Sequence, residues 1–394
     1  MKILVSNIGS TSFKFRLFEL APGERELSAG GVDRIGGSGS VCRWTVAGGE
    51  ARRIERDFAD HGEAIAFVLD RLVADAVLAE PGDLDAVAFK AVMGGDCEPV
   101  ALVDEGLLER MAYFTPVAPA HNPPYIAAMR GFRQALGATP LVAAFEPGFH
   151  RTNPRRRRLY ACPPAWAEDY GVRRYGFHGA SHRYVAVRLG EVMPSAARVI
   201  SCHLGGSSSL CAIRDGSSVA TSMGLSPQSG LPQGSRVGDF DPFGLKLMAS
   251  ETGRSLDDLL GELGSRSGLA AVSGTSGDMR DIEQGVADGD ERCRLAMEIY
   301  TTAIRDYLGA YLVELGGADA IAFTGGIGQR SPIVRGQVLA GLEFAGIAMD
   351  AAANERTADE GRIDADDSVT AIWVVETNEE LIVARQAAEL LTGT

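Results

Sequence analysis

No apolar run in this sequence approaches the roughly 20 residues needed to cross a bilayer. The opening stretch, MKILVSNIGS, lacks the cleavage site of a signal peptide. A cytoplasmic address with no membrane partner is expected. Cysteine is sparse: Cys42, Cys97, Cys162, Cys202, Cys211 and Cys293 lie scattered, and no CxxC pair occurs. That spacing argues against a disulfide framework and points to free, buried thiols in a reducing compartment. Positive charge is in deficit, with 38 basic against 52 acidic residues and a net charge of −14. Nucleic acid is therefore excluded as a general partner. Any phosphorylated substrate must be held by local cations against a repulsive background. A Walker loop, G-x-x-x-x-G-K-[ST], is also missing, as is any low-complexity segment.

What is present is the composition of a folded protein, 45% hydrophobic and 23% charged, in 394 residues. A chain of that length exceeds one ordinary core and divides into about two or three domains. It opens with a strand over 2–7, a tight turn at Gly9-Ser10-Thr11, and an alternating strand over 13–20. Residues 60–79 follow the helical period, 85–89 form a buried strand, 122–136 a helix with Pro123 and Pro124 in its first turn, and 140–145 a strand. A second unit repeats the opening: strand 199–204, turn Gly205-Gly206-Ser207, strand 208–213. The turns Asn7-Ile-Gly-Ser-Thr-Ser12 and His203-Leu-Gly-Gly-Ser-Ser208 share one pattern, polar, apolar, glycine, small, hydroxyl, hydroxyl. Two such matches, each opening an α/β stretch, suggest an internal duplication. A long helix then buries Tyr300, Ala303, Ile304, Tyr307, Leu308 and Tyr311. Strand 320–323 leads into Thr324-Gly-Gly-Ile-Gly328, and strand 369–375 and helix 379–391 close the chain. Strands alternating with helices make the fold α/β. The run Arg155–Arg158 reads as a solvated surface patch.

Glycine and hydroxyl residues at strand turns can cup an anion, because glycine lets backbone N–H groups approach closely. Turns 9–12, 205–209 and 324–328 have that chemistry. The last has a GxG element without the acidic partner of a Rossmann unit, so it reads as a nucleotide-contact turn. Histidines are few, six in all. His121 sits just before a helix start, and His178 and His182 lie four apart around Gly179. A zinc pair is conceivable at that spacing, but no third ligand is adjacent. Histidines among arginines and glycines suggest an anion site instead.

Asn7-x-Gly-Ser-Thr-Ser-x-Lys14, His121-Asn-Pro-Pro, Arg174-Tyr-Gly-Phe-His-Gly-x-Ser-His182, His203-Leu-Gly, Thr221-Ser-Met-Gly, Gly234-Ser-Arg-x-Gly-Asp239, Thr324-Gly-Gly-Ile-Gly and Thr377-Asn-Glu-Glu380 resemble, in order and nearly end to end, the motifs of the acetate kinase family. The resemblance implies two duplicated ribonuclease-H-like (actin-like ATPase) domains with a central cleft, ATP/ADP as co-substrate, Mg²⁺, and a homodimer. The expected boundaries are 1–148 and 149–379, with a helix at about 380–394 packing back on the first domain. The implied reaction is reversible phosphoryl transfer between ATP and a short carboxylic acid, giving an acyl phosphate and ADP. A carboxylate is already ionised, so positioning and charge neutralisation dominate. Carried over by motif, Arg236 and Lys90 clamp the phosphoryl group, His178 donates to it, and His121 lies nearby. Glu379, Glu146 and Asn7 organise Mg²⁺. Ser10, Ser12 and Lys14 line the phosphate path. His203, Gly205, Gly206, Ser207, Asp278, Met279, Arg280, Gly325, Gly326, Ile327 and Gly328 contact the nucleotide. Val92, Ala120, Phe177 and Pro227 meet the apolar end of the acid.

The sequence departs from that family at six positions. Lys90 stands for an arginine, Glu146 for an aspartate, Gly206-Ser207 for Asn-Gly, Ala120 for a leucine of the acyl pocket, and Met93 for a histidine. Lys90 keeps the charge and loses the planar fork. Ala120 enlarges the pocket and favours an acid longer than acetate. The competing readings are a catalytically weak nucleotide-binding sensor or scaffold, and a kinase for a larger acceptor. Pyrophosphate as donor is the alternative to ATP. The implied domain closure would exclude water from the acyl phosphate.

Overall fold

The computed structural model describes residues 1–357 and 359–393. Ala358, within the expected second domain, and Thr394, at the end of the expected closing helix, lie outside the described residues. Contacts divide the chain into two units, Met1–Gly148 with Asn378–Thr394, and Phe149–Thr377. Glu379, which the sequence reading puts at the end of the second domain, belongs to the first unit.

The first unit holds β1 (Lys2–Ile8), β2 (Ser12–Glu19), β3 (Arg25–Asp33), β4 (Val41–Val46), β5 (Arg52–Glu55), β6 (Ala86–Ala91), β7 (Val100–Leu102) and β8 (Leu141–Phe145). They form one sheet in the order β5-β4-β3-β2-β1-β6-β8-β7. β1 to β5 pair antiparallel in sequence, whereas β1, β6 and β8 run parallel. Successive side chains of a strand face opposite ways. Leu4, Phe13, Val87, Phe89, Leu141 and Ala143 build the core with helices His61–Ala74 and Asn122–Leu136. Helix Glu379–Thr392 packs on β1, β6 and β8, burying Ile382, Val383, Ala384 and Ala387. Its start is fixed by Asn378, whose side chain accepts from Leu381 N.

The second unit has β9 (Arg198–His203), β10 (Ser209–Arg214), β11 (Ser217–Thr221), β12 (Ala320–Thr324), β13 (Gly361–Arg362) and β14 (Ala371–Val374), in the order β11-β10-β9-β12-β14-β13. Its core pattern, β11-β10-β9-β12-β14, reproduces β3-β2-β1-β6-β8: three antiparallel strands, then two added parallel. The fold is therefore a duplicated α/β architecture, and the two turns that match in sequence occupy the same place, between the first and second strands of each sheet. Helix Glu291–Leu315 covers one face through Tyr300, Ile304, Leu308 and Tyr311. Ala303 and Tyr307 are only partly buried. Helix Gly179–Val192 covers the other face through Val185 and Leu189.

Two readings need correction. Arg155–Arg158 is not simply solvated: Arg156 and Arg157 hold Glu314 near the end of the long helix, Arg156 at 2.7 Å. Five cysteines are buried and free, but Cys162 is exposed. Among the described residues no helix is long and apolar enough to cross a membrane.

Candidate functional site

In the first unit the candidate residues converge at the C-terminal ends of the parallel strands, where crossover loops leave backbone and side chains exposed to ligands. Lys90 lies on β6, and its Nζ donates to Glu379 Oε2 at 2.6 Å. Burial alone pushes the Lys90 pKa down, but the carboxylates of Glu379, Glu146 and Glu380 outweigh it and the net shift is upward. The group is a firm cation. Glu146, directly after β8, is buried with 6% exposure. Asn7, near the end of β1, accepts from the Tyr125 hydroxyl at 3.1 Å. Burial raises the Tyr125 pKa to about 12 while Lys90 opposes the rise, so the phenol stays protonated. Lys14 pairs with Asn7 across β1 and β2. Ser10 and Ser12 flank the turn, whose Gly9 carbonyl contacts His61 Nε2 at 3.0 Å.

His121 precedes helix Asn122–Leu136. The fully buried Asn122 amide anchors that start by donating to the carbonyls of Met93, at 2.9 Å, and Met111, at 2.7 Å. Met93 is thus a core residue with 0% exposure. Val92 is half-buried and Ala120 exposed.

Could this set hold a divalent ion? Among the described residues no group of three or more His, Cys, Asp or Glu would do so alone. Magnesium, however, takes one or two carboxylates and completes its shell with water and substrate phosphates. Two carboxylates and an amide oxygen are hard donors of that kind, so Glu379, Glu146 and Asn7 fit the ion.

In the second unit three glycine-bearing turns meet. Gly325 has φ of 75°, and a Cβ there would lie 2.6 Å from the Leu204 carbonyl, so glycine alone is accommodated. Leu204 stitches two turns together: its N–H donates to Thr324 O at 2.8 Å, and its carbonyl accepts from Ile327 N at 2.9 Å and Gly328 N at 3.1 Å. Residues 325–328 therefore form the start of a short helix, Gly325–Arg330, rather than an open turn. Gly234 N donates to Gly206 O at 3.1 Å, which brings in the Arg236 segment. Arg236 reaches Gln233 Oε1 at 3.1 Å and Ser207 Oγ at 3.4 Å. Burial lowers its pKa from the ordinary value. Ser207 also donates to Gln233 at 2.7 Å. Pro227 is buried, and its carbonyl accepts from Gln233 Nε2 at 2.8 Å.

Asp278 caps helix Met279–Ala287 and chelates Arg280, whose hydrogen bonds bring the Asp278 pKa down to about 2. The Met279 side chain is a core group at 4% exposure, leaving its backbone for any ligand.

His178 and Phe177 follow Gly176, at φ of 79°, where a Cβ would lie 2.5 Å from Thr221 Cγ2. Phe177 is buried at 2% exposure. His178 stacks on His203 with ring centroids 4.2 Å apart, and its Nδ1 lies 2.8 Å from Ser209 Oγ. His203 Nδ1 meets Ser181 Oγ at 2.8 Å. The His178–His182 spacing does not make a metal pair, since both His182 nitrogens are engaged by Ser201 and Ser209. Sequence reasoning missed Tyr125, Ser209 and Gln233, because tyrosine, serine and glutamine carry no signature outside a motif. His182 did have one, its four-residue spacing from His178.

The chain matches the model of the acetokinase family over residues 2–385. It is 39% identical to an acetate kinase of Natranaerobius thermophilus over 99% of this chain and 100% of that protein. Among solved structures it resembles the acetate kinase of Porphyromonas gingivalis, with 34% identity, a TM-score of 0.89 and 99% of each chain covered. A propionate kinase from Francisella tularensis matches with 31% identity, a TM-score of 0.90 and 98% of each chain covered.

Proposed function

The chain belongs to the acetokinase family, and from that premise we propose that it moves a phosphoryl group reversibly between ATP and a short-chain carboxylic acid, forming an acyl phosphate and ADP. One observation carries this reading: the likeness to acetate kinases spans 99% of the chain, so it includes the unit with Lys90 and Glu379 and the unit with His178 and Arg236 alike.

The acid needs no general base, because its carboxylate is ionised at neutral pH. Arg236 and Lys90 neutralise the charge on the transferring group, and His178 donates a hydrogen bond to one of its oxygens. His121 orients the acceptor. Glu379, Glu146 and Asn7 would hold Mg²⁺, which when bound supplies further charge neutralisation. Ser10, Ser12 and Lys14 steer the phosphates. His203, Gly205, Gly206 and Ser207, the 278–280 segment and the backbone of 325–328 bind the nucleotide. Val92, Ala120, Phe177 and Pro227 meet the alkyl end of the acid. The protein works in the cytoplasm as a homodimer.

Alanine at position 120 removes about three carbons relative to leucine. At about 0.8 kcal/mol per buried methylene, propionate gains up to about 0.8 kcal/mol and butyrate up to about 1.6 kcal/mol where the bound acid covers the otherwise exposed Ala120. Propionate or butyrate is therefore preferred over acetate. Trapping the acyl phosphate as its hydroxamate across a panel of acids tests both statements. No product with any acid, alongside measurable ATP binding, would overturn the kinase reading in favour of a nucleotide-binding sensor. Acetate giving the highest kcat/KM would overturn the preference alone.

A further inference from the structure

Behind His178 lies a chain of hydroxyl and imidazole groups that the proposed reaction does not yet use. His178 Nδ1 is 2.8 Å from Ser209 Oγ, Ser209 Oγ is 2.9 Å from His182 Nε2, and His182 Nδ1 is 2.8 Å from Ser201 Oγ. His182, Ser201 and Ser209 are each 0% exposed. Two strands and a helix build this line: Ser201 on β9, Ser209 on β10, and His182 in the first turn of helix Gly179–Val192. The helix begins directly after His178, which adopts left-handed backbone angles, φ 57° and ψ 29°. A non-glycine residue held there is over-determined by its surroundings, a state that clusters at functional positions. The His178 carbonyl accepts from His182 N at 2.9 Å, so the two rings are tied through backbone as well as through Ser209.

Proton counting gives the line a direction. His182 is neutral, since burial, and then the nearby His150 and His203, hold its pKa well below the ordinary value. A neutral imidazole has one N–H and one lone pair. The hydroxyl between the two rings has a single proton to donate. Among the described residues the Ser201 hydroxyl meets no acceptor other than His182 Nδ1. If His182 carried its proton on Nδ1, the Ser201 proton would be buried without an acceptor, which is costly. The proton of His182 is therefore on Nε2 and is donated to Ser209. Ser209 in turn must donate to His178 Nδ1. A neutral His178 is left with its own proton on Nε2.

We propose that His182, with Ser201 and Ser209, is a positioning relay that fixes His178 as the Nε2–H tautomer and so presents a hydrogen-bond donor to the phosphoryl group. This rests on the role given to His178 above. All three relay residues are fully buried, at 0% exposure. They act as outer-shell partners do on a metal-bound histidine, by setting which nitrogen carries the proton.

The test reads the tautomer directly. In protein labelled with ¹⁵N at histidine, two-bond ¹H–¹⁵N correlation spectra at about pH 8 distinguish Nδ1–H from Nε2–H, and His178→Gln assigns the signal. The expected wild-type spectrum shows His178 protonated at Nε2. In Ser209→Ala the His178 signal shifts toward a mixture, and in His182→Phe it does the same. In Ser209→Ala, kcat falls about 10- to 100-fold while the KM values for ATP and acid change less than about threefold. Ser209→Thr, which retains the hydroxyl, restores the tautomer. A wild-type Nδ1–H pattern overturns the proposal, as does an unchanged His178 spectrum in Ser209→Ala. A changed tautomer with unchanged kcat also overturns it. Full activity in His178→Ala would instead refute the role of His178 in the reaction, an outcome separable because the spectrum is read without turnover.

Discussion

Replacing Lys90 by methionine keeps the length of the side chain and removes its charge. The ammonium bonds Glu379 at 2.6 Å, and the two side chains retain only 20% and 12% of their exposure. Glu146 and Glu380 also stabilise the cation. The variant leaves three carboxylates without that partner. Breaking a buried pair by deleting one member costs about 3–5 kcal/mol, and the residual exposure places this pair near the lower figure, about 3 kcal/mol. In a unit of this size each kcal/mol moves the midpoint by about 2–4 °C, so its calorimetric transition should fall by roughly 6–12 °C. The pKa of Lys90 is raised in the fold, so its contribution is complete below the unfolded value of about 10.4 and fades only above it. The deficit should therefore be flat between about pH 7 and 9. Lys90→Arg serves as control: it keeps the charge, regains the fork, holds the midpoint, and should raise kcat about tenfold. A Lys90→Met midpoint within about 2 °C of wild type would refute the claim that this cation holds the acidic cluster together.

Three further outcomes are expected. His150 is buried beside Ser218, and burial pushes its pKa down to about 4. Below about pH 6.5 the unfolded chain takes a proton that the fold refuses, so stability falls by about 1.4 kcal/mol per pH unit until about pH 4. Urea titrations of the second unit should show that slope, and His150→Gln should reduce it by about one proton; an equal slope would count against the assignment. Gly325→Ala forces a Cβ to 2.6 Å from the Leu204 carbonyl at φ of 75° and should weaken ATP binding about tenfold, measured by calorimetric titration. Ala120→Leu should shift the propionate-to-acetate ratio of kcat/KM toward acetate by up to about fourfold, the value of one buried methylene.

The helices and central strands were legible because their periods are strong. Helix 122–136 is recovered to the residue, since two prolines mark its first turn and Gly137 its end. β3 is different. Residues 21–59 carry no assignment from the sequence, because Gly30 and Gly31 interrupt the strand interior, and a Cβ at Gly30 would lie 2.4 Å from the Arg43 carbonyl. Gly30 is required because β4 packs against it, and Gly31 because the Phe13 carbonyl of β2 would lie 2.8 Å from a Cβ there, facts of pairing rather than of local propensity. Helices Phe243–Thr252 and Leu256–Ser265 were equally silent, as most of their apolar side chains stay exposed, and no buried stripe marks a period.

The site was legible to the degree that its chemistry sits in turns. Glycine at position 325 is demanded by a backbone angle and a close carbonyl, so the requirement is written in the sequence itself. A hydroxyl such as that of Ser209 is different: its value comes from lying between two imidazoles, on a neighbouring strand, and any strand serine looks the same before folding. His182 shows the intermediate case. Its spacing from His178 made a metal pair conceivable, and the lack of an adjacent third ligand argued for an anion site instead. The fold assigns both His182 nitrogens to serines and leaves no lone pair for an ion. Groups that touch ligand therefore recur as motifs, whereas groups that aim them are set by register. β9 and β10 pair Ser209 with His203 and Cys211 with Ser201, and that alignment, absent from any linear pattern, places both serine hydroxyls on one imidazole.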